Sequence, residues 1–143
     1  MPEFSANDSF SIEVEPANHL LVLRLRGFWT AEIFDGFEVE LHRAFAMLSK
    51  AGIKQGAVDA ILDVRLFDIQ SQEGVLRVQA IAEYFGRHAR RIANIMSGAA
   101  LQHMQAKRVS GDFDSHAFLD EAEARQWIKE KAATGEAPSP PID

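Results

Sequence analysis

Residues 68–73 read Asp-Ile-Gln-Ser-Gln-Glu and run into Gly74 and a stretch of helical apolar spacing. That order puts Ser71 to Glu73 at a helix start, where unsatisfied N–H groups and partial positive charge favour anions and polar partners. Asp68, Gln70, Ser71, Gln72 and Glu73 are therefore candidate ligand- or partner-binding residues. The same types also read as plain capping, with Ser71 at the N-cap and Glu73 in the first turn. Phe28 and Trp29, after Gly27, are a second candidate. Loop aromatics line pockets and interfaces, or they pack over a helix end. Arg87, His88, Arg90 and Arg91, with Lys107 and Arg108, form a basic cluster. It suits a phosphate or an acidic partner, or simply the carboxyl end of a helix.

Asp59 and Asp63 share one face of a strand by period-2 counting. A carboxylate pair could do metal or acid–base work, and burial would raise at least one pKa. The other reading places Asp63 at a strand end, bonded to loop amides. His19, His42, His88, His103 and His116 contain no pair at the i, i+4 spacing of a zinc helix. No spacing proposes an orienting carboxylate or a nucleophile for them. The chain has no cysteine, which excludes disulfides and thiolate metal sites. Isolated glycines make no phosphate loop. The expectation is a non-enzyme with no cofactor and no metal.

Composition narrows the class further. A length of 143 residues fits one domain. The formal net charge of −6 disfavours nucleic acid as a partner. No apolar run approaches the ~20 residues of a membrane span. Residues 1–10 lack the apolar centre of a secretion signal, so a cytoplasmic location is expected.

The elements that position these residues follow from periodicity. Phe10–Glu15 alternates, Pro16-Ala17-Asn18 is turn chemistry, and His19–Arg26 is β-rich, which together predict an antiparallel hairpin. Ile33, Phe37, Leu41, Phe45 and Leu48 predict a helix over 31–50, capped by Thr30 and ended near Gly52. Val58–Val64 reads as a buried central strand. A helix over 73–87, a strand over 92–96, a short helix over 99–108, a strand near 116–118 and a helix opened by Asp120 and Glu123 complete the order ββαβαβαβα. Strands separated by helices imply right-handed parallel crossovers. The expected α/β fold is a mixed, mainly parallel five-stranded sheet with its helices on one face. Ile61, Leu62, Val64, Ile92, Ile95, Phe37, Leu41 and Val78 should be buried. Residues 1–9 and 134–143 read as loose ends around a domain over 10–133.

The segment Ile61-Leu-Asp-Val-Arg-Leu-Phe-Asp-Ile-Gln-Ser-Gln-Glu-Gly-Val-Leu76 resembles the central segment of STAS domains, the anti-sigma-factor-antagonist or SpoIIAA-like family. There a buried strand feeds a loop that ends in Asp-Ser-Ser-Gly at a helix start. Gly27-Phe28-Trp29-Thr30 and Phe118-Leu-Asp-Glu-Ala-Glu-Ala-Arg-Gln-Trp127 fit the wider pattern. The chain is especially similar to the STAS/Sec14-like bacterial branch, over about residues 10–131. The resemblance implies a SpoIIAA-like fold and a regulatory or protein-interaction module with an unidentified protein partner. With Gly74 in the family glycine's place, Glu73 stands where the phosphoserine would be and Ser71 where the aspartate would be. The alternative implied by the branch is a carrier of a small apolar or lipid-like ligand beneath the helices. The wide apolar stripe over 33–48 and the edge hairpin suggest a homodimer.

Overall fold

The computed structural model describes residues 3–7, 9–54, 56–68, 70–98 and 114–133. The strands are β1 (Glu3–Asn7), β2 (Phe10–Glu15), β3 (Leu20–Gly27), β4 (Val58–Phe67), β5 (Ala89–Ile95) and β6 (Asp114–Phe118). The helices are α1 (Ala31–Lys50), α2 (Gln72–His88) and α3 (Glu121–Ala133). The sheet runs in chain order, β1-β2-β3-β4-β5-β6. The first three strands are antiparallel and the rest pair in parallel. The short helix expected over 99–108 and the tail over 134–143 lie outside the described residues.

Each element has a local cause. Pro16–Asn18 forms a 3-10 turn that closes the hairpin, with His19 in the left-handed region at φ 52°. Thr30 caps α1, its Oγ1 accepting from the Ile33 N–H at 3.4 Å. Gly52, at φ 89°, carries the chain out of α1. Asp120 Oδ1 accepts from the Glu123 N–H at 2.8 Å and opens α3.

The sheet has one strand more than the five expected. β1 pairs antiparallel with β2, Glu3 opposite Glu13 and Phe4 opposite Ile12. Its composition hid it. An edge strand is held by main-chain hydrogen bonds to the hairpin's open edge, and these need no apolar alternation.

The helices do not share one face, as the crossover rule alone suggested. α1 and α2 cover the face that carries Ile12, Leu21, Leu23, Ala60 and Ile92. α3 covers the other, where Ala124 and Ile128 pack on Leu20, Val22, Ile61, Ala93 and Ile95. The handedness rule constrains crossovers between parallel strands, and among the described residues α3 joins no such pair. It goes where apolar area is left uncovered, and strands apolar on both faces require a cover on both.

Of the residues expected inside, Phe37, Leu41, Ile61, Ile92 and Ile95 are buried. Leu62, Val64 and Val78 are half-buried. No helix among the described residues is long and apolar enough to cross a membrane.

Candidate functional site

The loop from β4 to α2 is fastened to the loop from β3 to α1 by one side chain. Gln70 Oε1 accepts from the Trp29 N–H at 2.9 Å. Gln70 Nε2 donates to the carbonyls of Gly27 at 3.1 Å and Asp68 at 2.6 Å. The Asp68 N–H also donates to the Gly27 carbonyl, at 3.1 Å. Ser71 Oγ then accepts from the Gly74 N–H at 3.0 Å, so the serine is the N-cap of α2. Gly74 is buried, and a Cβ there would come within 2.9 Å of Gln70 Cβ and 3.3 Å of Ser71 Oγ. The glycine is required by close approach, since only its missing side chain lets the loop seat against the helix. Ser71, Gln72 and Glu73 are exposed on this fixed base.

The two loop aromatics separate. Trp29 is 1% exposed. Its ring centroid lies 5.0–5.7 Å from those of Phe10, Phe34, Phe37 and Phe67, and its Nε1 donates to the Arg26 carbonyl at 2.9 Å. It is a core anchor with no surface to offer a partner. Phe28 is 54% exposed. It has company, because five of the six large exposed apolar side chains among the described residues are Phe28, Leu66, Val75, Leu76 and Leu119. Phe28 follows β3, Leu66 ends β4, Leu119 follows β6, and Val75 and Leu76 open α2. All five belong to the carboxyl edge of the parallel strands, the same edge as the Gln70–Glu73 loop. Open α/β sheets bind ligands at this edge.

The acidic and basic candidates are engaged with each other. Asp59 is buried and accepts from Arg90 Nε and Nη2 at 3.1 and 3.0 Å and from Arg91 Nη1 at 3.2 Å. Asp63 accepts from the Arg65 main-chain N–H at 3.1 Å and from its side chain at 2.8 and 3.0 Å. Burial opposes ionisation of Asp63, but the Arg65 hydrogen bonds outweigh it and hold its carboxyl below the usual value. The two aspartates therefore do not form a free acid–base pair. Nor do Arg90 and Arg91 form an open basic patch, because both turn inward to Asp59. Arg87 and His88 do occupy the last turn of α2, where cations suit the helix end. Lys107 and Arg108 lie outside the described residues. Among the described residues no group of three or more His, Asp and Glu is placed to hold a metal.

Beneath α2 lies an apolar cavity of about 360 Å³, walled by Leu62, Val64, Phe67, Ile81, Phe85 and Ile92, with Asn94 a polar member of its lining. Its presence explains why Leu62, Val64 and Val78 are only half-buried.

This architecture has counterparts among solved structures. An uncharacterised protein of the DUF3478 family with a SpoIIAA-like fold, from Shewanella loihica PV-4, superposes with a TM-score of 0.67 at 21% identity, over 87% of this chain and 98% of that one. The chain has a SpoIIAA-like fold. An anti-sigma factor antagonist from Mycobacterium paratuberculosis matches with a TM-score of 0.46 at 14% identity, over 88% of this chain and 99% of that one. No protein-family model matches the sequence, and no curated protein matches it significantly.

Within the SpoIIAA-like sheet, the exposed loop lies at the start of α2 where the sequence places it, but its apolar surround is not legible in the same way. Leu66, Val75, Leu76 and Leu119 were not singled out. A signal existed for two of them. With Gly74, Ile81 and Phe85 on the buried side of α2, helical counting places Val75 and Leu76 outward. The cavity left no such signal, because it depends on how far α2 stands from the sheet.

Proposed function

We propose that this protein is a non-enzymatic interaction module of STAS-like type, acting in the cytoplasm, whose partner surface is the carboxyl edge of its sheet. The observation that carries this is the placement of exposed Phe28, Leu66, Val75, Leu76 and Leu119 at the same edge of the sheet as the capped Gln70–Glu73 loop. Exposed apolar groups rimmed by polar ones mark protein contacts more than catalysis. The engagement of Asp59 and Asp63 by arginines supports the same reading, since neither carboxylate is left to move a proton. In the alignment implied by the family resemblance Glu73 carries a permanent charge, so the surface is constitutive rather than switched. Its partner is a protein with a complementary apolar patch.

The test is capture from host extract by the wild-type chain and by a Leu66→Asp, Leu76→Asp double variant. Both positions are exposed, so the variant should fold normally. A specific protein retained by the wild type and lost by the variant is the expected result. Equal capture by both would sink the proposal. Phosphopeptide mapping after incubation with host kinases tests the constitutive part, and substantial phosphate on Ser71 would overturn it.

The cavity beneath α2 favours a second reading, a carrier of a small apolar molecule. Its volume and lining fall within the range of ligand pockets. Native mass spectrometry separates the two, a retained small molecule favouring the carrier. The two features that suggested a homodimer are used within the chain. The α1 stripe of Phe34, Phe37, Leu41, Ala44 and Leu48 is buried, and β1 covers the hairpin edge. Self-association through the outer strand edges or the apolar carboxyl edge is what sedimentation at about tens of micromolar, ample for an ordinary interface, would reveal.

A further inference from the structure

A groove of about 620 Å³ runs between α3 and the turn joining β2 to β3. It lies at the amino edge of the parallel strands, on the α3 face, away from the loop and the apolar cavity described above. Every titratable side chain in its described lining is a base: His19, Arg90, Arg125 and Lys129. That is unexpected by composition, for the chain has 21 acids against 15 lysines and arginines. The acids stand behind the bases instead of beside them. Asp59, with its side chain 1% exposed, grips Arg90 through Nε and Nη2. Glu15, 9% exposed, takes Arg125 at 2.8 Å. Arg125 spends all three guanidinium nitrogens this way, Nη1 and Nη2 on Glu15 and Nε on Glu121. At Arg90 the carboxylate of Asp59 takes Nε and Nη2, which fixes the plane of the guanidinium and leaves Nη1 for a ligand. Leu20, Ala122 and Ile128 add apolar wall.

We propose that this groove binds a small organic oxyanion, a carboxylate or phosphate monoester on a compact apolar body. The head meets Arg90 and Lys129 and the body lies against Leu20 and Ile128. Nη1 of Arg90 and Nζ of Lys129 together supply charge-assisted donors that suit either head group. A purely structural account makes Lys129 a counter-charge for the carboxyl end of α3. The two accounts differ in one respect: only a binding groove responds saturably to an aromatic anion.

The experiment is amide NMR on the full chain, titrated with sodium benzoate and with phenyl phosphate while chloride holds the ionic strength constant. At least one should move the amides of residues 18–20, 90 and 122–132 saturably, and which one moves them names the head group. Benzyl alcohol, which has the body without the charge, should leave them still. Lys129→Gln should weaken binding about tenfold, as loss of one charge-assisted contact does. Arg90→Gln should do the same, but it strips a partner from buried Asp59 and could lower stability. Lys129 is exposed and paired with nothing among the described residues, so its variant keeps the test decisive. No saturable shift with either anion at about 10 mM, where a millimolar site would be mostly filled, overturns the proposal. So does a response to benzyl alcohol, or undiminished binding by Lys129→Gln.

Discussion

One added carbon distinguishes Gly74 from alanine, and the surroundings decide its cost. In an exposed helix, Gly→Ala gains up to about 1 kcal/mol. Here the new Cβ would meet Gln70 Cβ at 2.9 Å, an atom next to the backbone that cannot swing away. Moving it would disturb the three hydrogen bonds by which Gln70 joins the two loops. Gly74→Ala should therefore destabilise the protein by about 1–3 kcal/mol in urea unfolding, the usual range for overpacking. A gain in stability would mean that the loop is not seated on the helix. Ser71→Ala removes the cap alone and should cost about 1 kcal/mol with the fold intact. These two positions show how legible the site is in sequence. The capping role of Ser71 follows from its residue type and place. The demand on Gly74 does not, because it depends on where a residue four positions earlier packs.

Helix α3 is held on its face by apolar contact and by a charge network that crosses three elements. Arg24 on β3 bridges Glu13 on β2 at 2.6 Å and Glu121 on α3 at 2.7 Å. Arg125 on α3 bridges Glu121 and Glu15, each at 2.8 Å. At Glu15 the Arg125 hydrogen bond outweighs burial and holds the carboxyl below its usual value. At Glu121 burial works against ionisation, but the hydrogen bonds from Arg125 and Arg24 outweigh it with the same result. Both carboxyls thus titrate lower in the folded chain than in the unfolded one. Their stabilisation is complete above about pH 4.5, the ordinary glutamate value, and is lost as pH falls through the folded values. Urea midpoints should be level in this respect from pH 7 to 5 and drop below that. Arg125→Gln should lower the midpoint at pH 7 by a modest amount, within about 1 kcal/mol for half-exposed pairs. It should also flatten the acid limb. An acid limb unchanged in Arg125→Gln would show that the network does not govern it.

Across the whole molecule, the two cores share their strands. Leu21 and Leu23 face α1 and α2 while Leu20 and Val22 of the same strand face α3. Neither core can dissolve without exposing the other side of β3, β4 and β5. Unfolding should therefore be a single transition. The chain carries two tryptophans, one per face. Trp29 lies in the core under α1, and Trp127 packs on the core under α3. Trp127→Phe leaves Trp29 as reporter and Trp29→Phe leaves Trp127. Within each variant, the fluorescence and far-ultraviolet circular dichroism midpoints should coincide. A Trp127 signal lost at lower denaturant than the circular dichroism change would show α3 detaching on its own. Trp29→Phe will lower overall stability, since it leaves a space among four aromatic rings. The comparison is for that reason made within a variant and not between variants.

Sequence alone determined the order of the described elements from Phe10 onward, the hairpin, the caps at Thr30, Ser71 and Asp120, and the place of the exposed loop. These are local matters, set by periodicity within a few turns of chain and by residue types that bond to their own neighbours. The tertiary structure decided the rest. It added β1, because edge pairing is a main-chain interaction that leaves little trace in side-chain pattern. It sent α3 to the second face, because only the assembled sheet shows which apolar area remains uncovered. It turned Arg90 and Arg91 from an apparent basic patch into the grip on Asp59, and Trp29 from a loop aromatic into a core anchor. Each of these joins residues far apart in the chain, and burial and partner choice at that separation are properties of the packed molecule.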